Sequence, residues 1–200
     1  MSIDENSRMI REELDKLLCA ENTAETLLKN RERVAEIVPE IRRCFDFEQH
    51  SKYHKYNVYE HIAHAVESAP EESVLLRRAM LFHDIGKPEM FTMDENGVGH
   101  FKGHAAVSAE MAEKIMARLG YDKDDISLTK VLISHHSDKI ENECQIKRLI
   151  SEIGKERFAM LIKLKKADNS AKRDFVLTEN DELDDALKIA ERLDREGNIK

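Results

Sequence analysis

At 200 residues the chain has the length of one full domain or two small ones, with enough residues to bury a sizeable core. Its 41% hydrophobic and 36% charged residues are the composition of a soluble globular protein, and the formal net charge of −8 disfavours a general DNA- or RNA-binding surface. A small phosphate ester is not excluded, because a metal centre can supply local positive charge. No run of about 18 apolar residues offers a membrane span. The first turns carry Asp4, Glu5, Arg8, Arg11, Glu12 and Glu13 rather than an apolar signal core. Cys19, Cys44 and Cys144 lie far apart and form no CxxC, so a reducing cytoplasm is expected rather than a disulfide framework.

With only 7 Gly and 3 Pro, the chain reads as all-helical. Two amphipathic helices are expected over 8–19 and 23–38, with Pro39 marking a break or a fresh helix start. The His- and Tyr-rich block from Glu48 to Tyr59 reads as a surface connection entering a helix at Asn57, a plausible N-cap. That helix runs from Val58 to Ser68 and Pro70 stops it. The next begins near Glu71. Val74, Leu75, Leu76, Ala79, Met80 and Leu81 make it too continuously apolar for a surface helix. Gly86, in a left-handed cap, and Pro88 are expected to end it. Asn96-Gly97, between short alternating segments of 90–101, predicts a hairpin. Helices resume over 104–118, 124–136, 142–153, 155–173 and 179–196, with Thr178 and Asp181 as a cap region. One domain over 1–200 is the economical reading: a helical prelude over 1–40, a core over 41–175 and a C-terminal helix over 176–200.

The chemistry concentrates in His and Asp residues at the ends of apolar stripes. His83 follows Leu76, Ala79 and Met80 at helical spacing, and Asp84 beside it is costly there unless capped, paired or metal-bound. His61 sits on the preceding helix, while His64 is expected at the surface. His104 starts a helix after Gly103, which permits a close turn. His135 and His136 end the stripe of Leu128, Val131, Leu132 and Ile133, pointing about 100° apart, so that one can bind a metal while the other faces elsewhere. Asp168 follows Leu161 and Leu164 and should point into the bundle, where a buried salt bridge is the bland alternative. A helical bundle can converge such groups on one pocket, and this many His and Asp suffice for two metals sharing a bridging carboxylate.

These residues resemble the pattern H…HD…D of the HD superfamily of metal-dependent phosphohydrolases: His61, His83-Asp84 and Asp168 fit the basic pattern, and His104 with His135-His136 the extended one. Longer stretches are similar to the HD domain of bacterial CCA-adding tRNA nucleotidyltransferases and their stand-alone relatives: Phe47-Glu48-Gln49-His50, Tyr53 to His61, Leu81 to Pro88 and Gly99 to Ser108. The resemblance covers roughly residues 25 to 170. It implies an all-α HD-domain helical bundle with a small β-hairpin insertion. The implied first metal site is His61, His83, Asp84 and Asp168. The second is Asp84, His104 and His136 or His135, with Asp84 bridging. It further implies a metal-activated water as nucleophile and a small phosphorylated or nucleotide substrate, an RNA end included. Lys87 is expected against a phosphate oxygen, a helix-end lysine meeting the carbonyl dipole being the bland alternative, and His54 against phosphate from the preceding loop, a solvent-exposed histidine being its alternative. The Gly-Ser motif and paired aspartates of a nucleotidyltransferase head have no counterpart here, so CCA addition is not expected.

Mixed His/Asp donors suit Mn²⁺, Fe²⁺, Co²⁺, Ni²⁺ or Zn²⁺ better than an all-oxygen Mg²⁺ site. The competing reading is a non-catalytic helical module binding RNA or protein, with a residual metal site. A thiol enzyme is not expected, since the three cysteines lack a His-plus-acid partner pattern. Asp94 and Glu95 read as a solvated turn. Sequence leaves the oligomeric state open.

Overall fold

The computed structural model describes residues 5–173 and 179–199. Among these the fold is an all-α bundle: α1 (Glu5–Leu18), α2 (Thr23–Lys29), α3 (Arg31–Ile37), a 3-10 turn at Pro39–Cys44, α4 (Val58–Ser68), α5 (Val74–Phe82), the short α6 (Lys87–Met90), α7 (His104–Arg118), α8 (Lys123–His135), α9 (Glu143–Ile153), α10 (Lys155–Ser170) and α11 (Glu179–Arg195). A two-stranded antiparallel hairpin, β1 (Thr92–Met93) and β2 (Gly99–His100), interrupts it, with Thr92 opposite His100. No described helix is long and apolar enough to cross a membrane.

Local chemistry accounts for several boundaries. Asn57 and Glu60 form a reciprocal capping box at the start of α4. Ser73, Asp122 and Asn142 cap α5, α8 and α9 through their side-chain oxygens. The Ser73 cap puts the start of α5 a few residues after Glu71. In the hairpin, Asp94 Oδ1 accepts the backbone N–H groups of Asn96 and Val98 at 2.9 Å, and Gly97 takes φ +74°.

The single helix expected over 23–38 is two helices. Asn30 Nδ2 donates to the Thr26 carbonyl at 2.8 Å, and the Asn30 backbone, at φ −103° and ψ 21°, breaks the ladder between α2 and α3. Gly86 also departs from expectation. It is right-handed at φ −85°, and its role is steric: a Cβ there would lie 2.9 Å from the Ser108 backbone nitrogen. The missing side chain lets α7 approach, and Gly86 N–H donates to Ser108 Oγ at 3.0 Å. Pro88 opens α6 rather than only ending α5. The expected cap residue Thr178 lies outside the described residues.

A continuous buried apolar cluster runs from Leu14 on α1 to Leu193 on α11. Helix α5 passes through it, packed against α4, α7, α8 and α10. Its two arginines are buried and partnered through their guanidinium groups, with the buried Arg77 Nε left without a partner. Arg77 donates to the Leu18 carbonyl at 2.6 Å and to Thr23 Oγ1 at 2.9 Å. Arg78 pairs with Asp15 at 2.7 Å and Asp125 at 2.8 Å, tying α1 and α8 to α5. Each carboxylate backs up the other, so only the loss of both would leave the buried Arg78 charge uncompensated. The C-terminal end of α5 is thereby fixed, and the His-Asp pair begins there.

Candidate metal centre

The six side chains of the centre come from five helices or helix ends: His61 from α4, His83 and Asp84 from just past α5, His104 from the first turn of α7, His136 from the C-cap of α8 and Asp168 from α10. His61 and His83 are fully buried, and Asp84, His136 and Asp168 nearly so. Gly103, at φ +87°, makes the left-handed entry that sets His104.

The donor atoms fall into two sets, each within 4.8 Å: His61, His83 and Asp168, and Asp84, His104 and His136. Asp84 faces both. Its Oδ2 lies 3.3 Å from His61 Nε2 and 3.2 Å from His83 Nε2, and its Oδ1 lies 3.2 Å from His104 Nε2 and 3.7 Å from His136 Nε2. Asp168 Oδ1 approaches His61 Nε2 at 3.0 Å.

The imidazoles share one orientation. Nδ1 of His83, His104 and His136 lies 2.7–2.8 Å from the backbone carbonyl three residues earlier (Met80, Phe101 and Ile133), and Nδ1 of His61 is 3.3 Å from the Ala171 carbonyl. A carbonyl only accepts, so Nδ1 carries a proton and Nε2 faces inward, where the neutral ring presents a lone pair. Nε2 atoms then meet in pairs, His61 with His83 at 3.3 Å and His104 with His136 at 3.1 Å. Asp84 Oδ1 is buried without a hydrogen-bond donor. Converging imidazole nitrogens and an orphaned carboxylate oxygen in a low-dielectric interior fit a cation.

Charge in the site agrees. Burial alone would push both carboxyls up, yet His83 and Lys87 hold Asp84, and Lys172 and His61 hold Asp168, well below the usual carboxylate range. Burial opposes a charge on His83, but Asp84 and Asp168 outweigh it and raise its pKa to about 9, so a metal held at its Nε2 would displace a proton. Burial lowers that of His136 to about 4.

Among the other residues singled out from sequence, Lys87 is buried and pairs with Asp84 Oδ2 at 2.6 Å. His54 lines the same cavity, its Nε2 buried and without a partner. Burial drops its pKa to about 2. His135 joins neither set: its Nδ1 lies 2.9 Å from Asp138 Oδ2. His64 is half-buried and stacks on Tyr56 with ring centres 4.3 Å apart. Sequence reasoning missed Lys172, which pairs with Asp168 Oδ2 at 2.8 Å, and Gln49, which meets Lys87 at 2.7 Å. The first had a signal, since Lys172 stands four residues after Asp168.

Asp84, His104, His136 and Asp168 line a cavity of about 830 Å³, with His61 and His83 buried outside its lining. Tyr53, His54, Val98 and Phe101 line one part of it, and Glu141, Glu179 and Glu182 another.

A family model for the HD domain matches residues 52–196, which takes in both donor sets. The chain belongs to the HD-domain family. Three curated relatives are similar to parts of this chain. The A-adding tRNA nucleotidyltransferase of Deinococcus radiodurans is 31% identical over 142 residues, covering 68% of this chain and 32% of the relative. The CC-adding tRNA nucleotidyltransferase of Thermus thermophilus is 30% identical over 172 residues, 82% of this chain and 39% of the relative. The bifunctional uridylyltransferase/uridylyl-removing enzyme of Ruegeria pomeroyi is 29% identical over 120 residues, 50% of this chain and 12% of the relative. The chain therefore spans well under half the length of these proteins. HD domains bind divalent metals, and the two His/Asp sets of this one could hold them.

Proposed function

We propose that this HD domain is a metal-dependent phosphohydrolase that cleaves a phosphate ester of a small phosphorylated compound or nucleotide, as a phosphomonoesterase or a cyclic phosphodiesterase. The observation that supports it best is the pairing of inward-facing Nε2 atoms across a shared Asp84 at the bottom of an open cavity. In this reading His61, His83, Asp84 and Asp168 hold one divalent ion, and Asp84, His104 and His136 a second. His135 is left out because it is turned to Asp138. Mn²⁺, Fe²⁺, Co²⁺, Ni²⁺ or Zn²⁺ suits these donors. Divalent ions bound there lower the pKa of water and offset charge on phosphoryl oxygens.

The protein's own groups do the rest. Lys87 spends two of its three N–H donors on Asp84 and Gln49, and the third is left for a phosphate oxygen. His54, neutral at working pH, serves as a hydrogen-bonding contact to phosphate and not as a proton source. Lys172 keeps Asp168 ionised and oriented. The cavity is within the range of small-molecule sites and large enough for a nucleotide.

The test is a substrate panel assayed with Mn²⁺, Co²⁺, Ni²⁺ and Mg²⁺: p-nitrophenyl phosphate, nucleoside monophosphates, 2′,3′-cyclic nucleotides and a short RNA with a 3′-terminal phosphate. The RNA belongs in the panel because two relatives are named as tRNA nucleotidyltransferases. Hydrolysis of at least one ester that requires added metal is expected. No hydrolysis with any metal, in protein that binds none, would favour the non-catalytic helical module.

A further inference from the structure

Gln49 lies on no helix or strand and in neither donor set, yet it is only 2% exposed. Its amide is fixed in one sense. Oε1 accepts from Lys87 Nζ at 2.7 Å, and Nε2 donates to the Tyr56 carbonyl at 3.1 Å. The backbone around it is pinned from both sides. Phe47 C=O accepts from Val58 N–H, and His50 C=O from Gly99 N–H, both at 2.9 Å. The Gln49 carbonyl sits so close to the hairpin that a Cβ on Gly99 would lie 2.4 Å from it.

The Lys87 ammonium lies between two acceptors of different charge, Asp84 Oδ2 at 2.6 Å and Gln49 Oε1 at 2.7 Å, and 5.2 Å from the centre of the Phe101 ring. With Asp84 alone, the flexible stem would leave the ammonium free to rotate about that single contact. A second carboxylate in place of Gln49 would overcompensate it. A neutral amide gives the ammonium a second fixed contact beside Asp84 without adding negative charge, which leaves one N–H for an incoming anion.

We propose that Gln49 is a positioning residue: it orients the Lys87 ammonium towards phosphate in the cavity. The inference rests on the phosphohydrolase reading, and it names a residue that acts through Lys87 without touching substrate.

Two measurements test it. The first is the ¹H–¹⁵N signal of the lysine ammonium groups in the metal-free protein, with the Lys87 signal assigned by its loss in Lys87→Met. A slowly exchanging Lys87 signal is expected in the wild type and in Gln49→Glu, which keeps the acceptor, and it should vanish in Gln49→Met. Persistence in Gln49→Met overturns the proposal. The second is calorimetric binding of inorganic phosphate to the Mn²⁺-loaded protein. Gln49→Met should weaken it about tenfold, the size of one hydrogen bond to a charged group, and should have no further effect on a Lys87→Met background. Equal loss on both backgrounds, or no loss at all, contradicts the positioning role. If Gln49→Met does not fold, Gln49→Asn shortens the reach by one methylene while keeping an amide, with the same outcomes expected. Absence of any ester hydrolysis by the wild type would instead sink the phosphohydrolase reading, and the ammonium signal still decides whether Gln49 orients Lys87.

Discussion

Asp84 Oδ1 lies 3.2 Å from His104 Nε2, while the other oxygen of the same carboxylate faces His83. One side chain thus joins two donor sets drawn from five helices. Asp84→Asn keeps the shape of the side chain and removes its charge. Metal-dependent hydrolysis should fall by about 10³-fold, the scale seen when a charge-stabilising group is lost from an active site. Far-ultraviolet circular dichroism should remain that of a folded helical bundle. Full activity in this variant would contradict the role given to Asp84.

The two adjacent histidines give a sharper contrast. His136 Nε2 meets His104 at 3.1 Å, whereas His135 is tied to Asp138 at 2.9 Å. His136→Ala should lower kcat/KM about 100-fold or more, since even groups supporting a ligand are worth 10–100-fold. His135→Ala should stay within about twofold, as for substitutions outside the site. Steady-state kinetics on the two variants checks this, and the reverse order would reassign the ligand.

Metal removal should be visible in stability. An ion that binds the folded chain at about 1,000 times its Kd adds roughly 4 kcal/mol. For a chain of this size that corresponds to a rise in Tm of about 10 °C. Differential scanning calorimetry on chelator-treated protein, with and without Mn²⁺ or Co²⁺, should show the rise in wild type and a smaller one in Asp84→Asn.

Cys44 reports on packing beneath the centre. Its Sγ donates to the Ile85 carbonyl at 3.8 Å, and burial pushes its thiol up to about 12. Thiolate is the reactive form, so Cys44 stays protonated and unreactive as pH rises from 7 to 9. Cys19 and Cys144 are exposed. Titration with a disulfide reagent at pH 8 should count two fast thiols in native protein and a third only after denaturation. Three fast thiols would mean that the 3-10 turn does not seal this face.

Much of the centre was legible because helical spacing carries it. His83 falls on the stripe of Leu76, Ala79 and Met80, and Asp168 on that of Leu161 and Leu164, so local periodicity points all of them inward. Caps at Asn57 and the turn at Asn96-Gly97 were readable for the same local reason. What escaped depends on contacts between distant segments. The His- and Tyr-rich block read as a surface connection, yet Gln49 is buried because Gly99 of the hairpin lets it lie close, a fact no spacing encodes. Gly86 suggested a left-handed cap, but α7 needs its lack of a side chain. At Asn30 a side chain competing for the Thr26 carbonyl divides a helix that periodicity alone would continue.

The most direct test of the two-ion centre is anomalous scattering from crystals of protein loaded with Mn²⁺ or Co²⁺, with metal content measured on the same preparation. The expected result is two ions per chain, one among His61, His83 and Asp168 and one among Asp84, His104 and His136. No ion at either set, or ions bound only elsewhere, would contradict it.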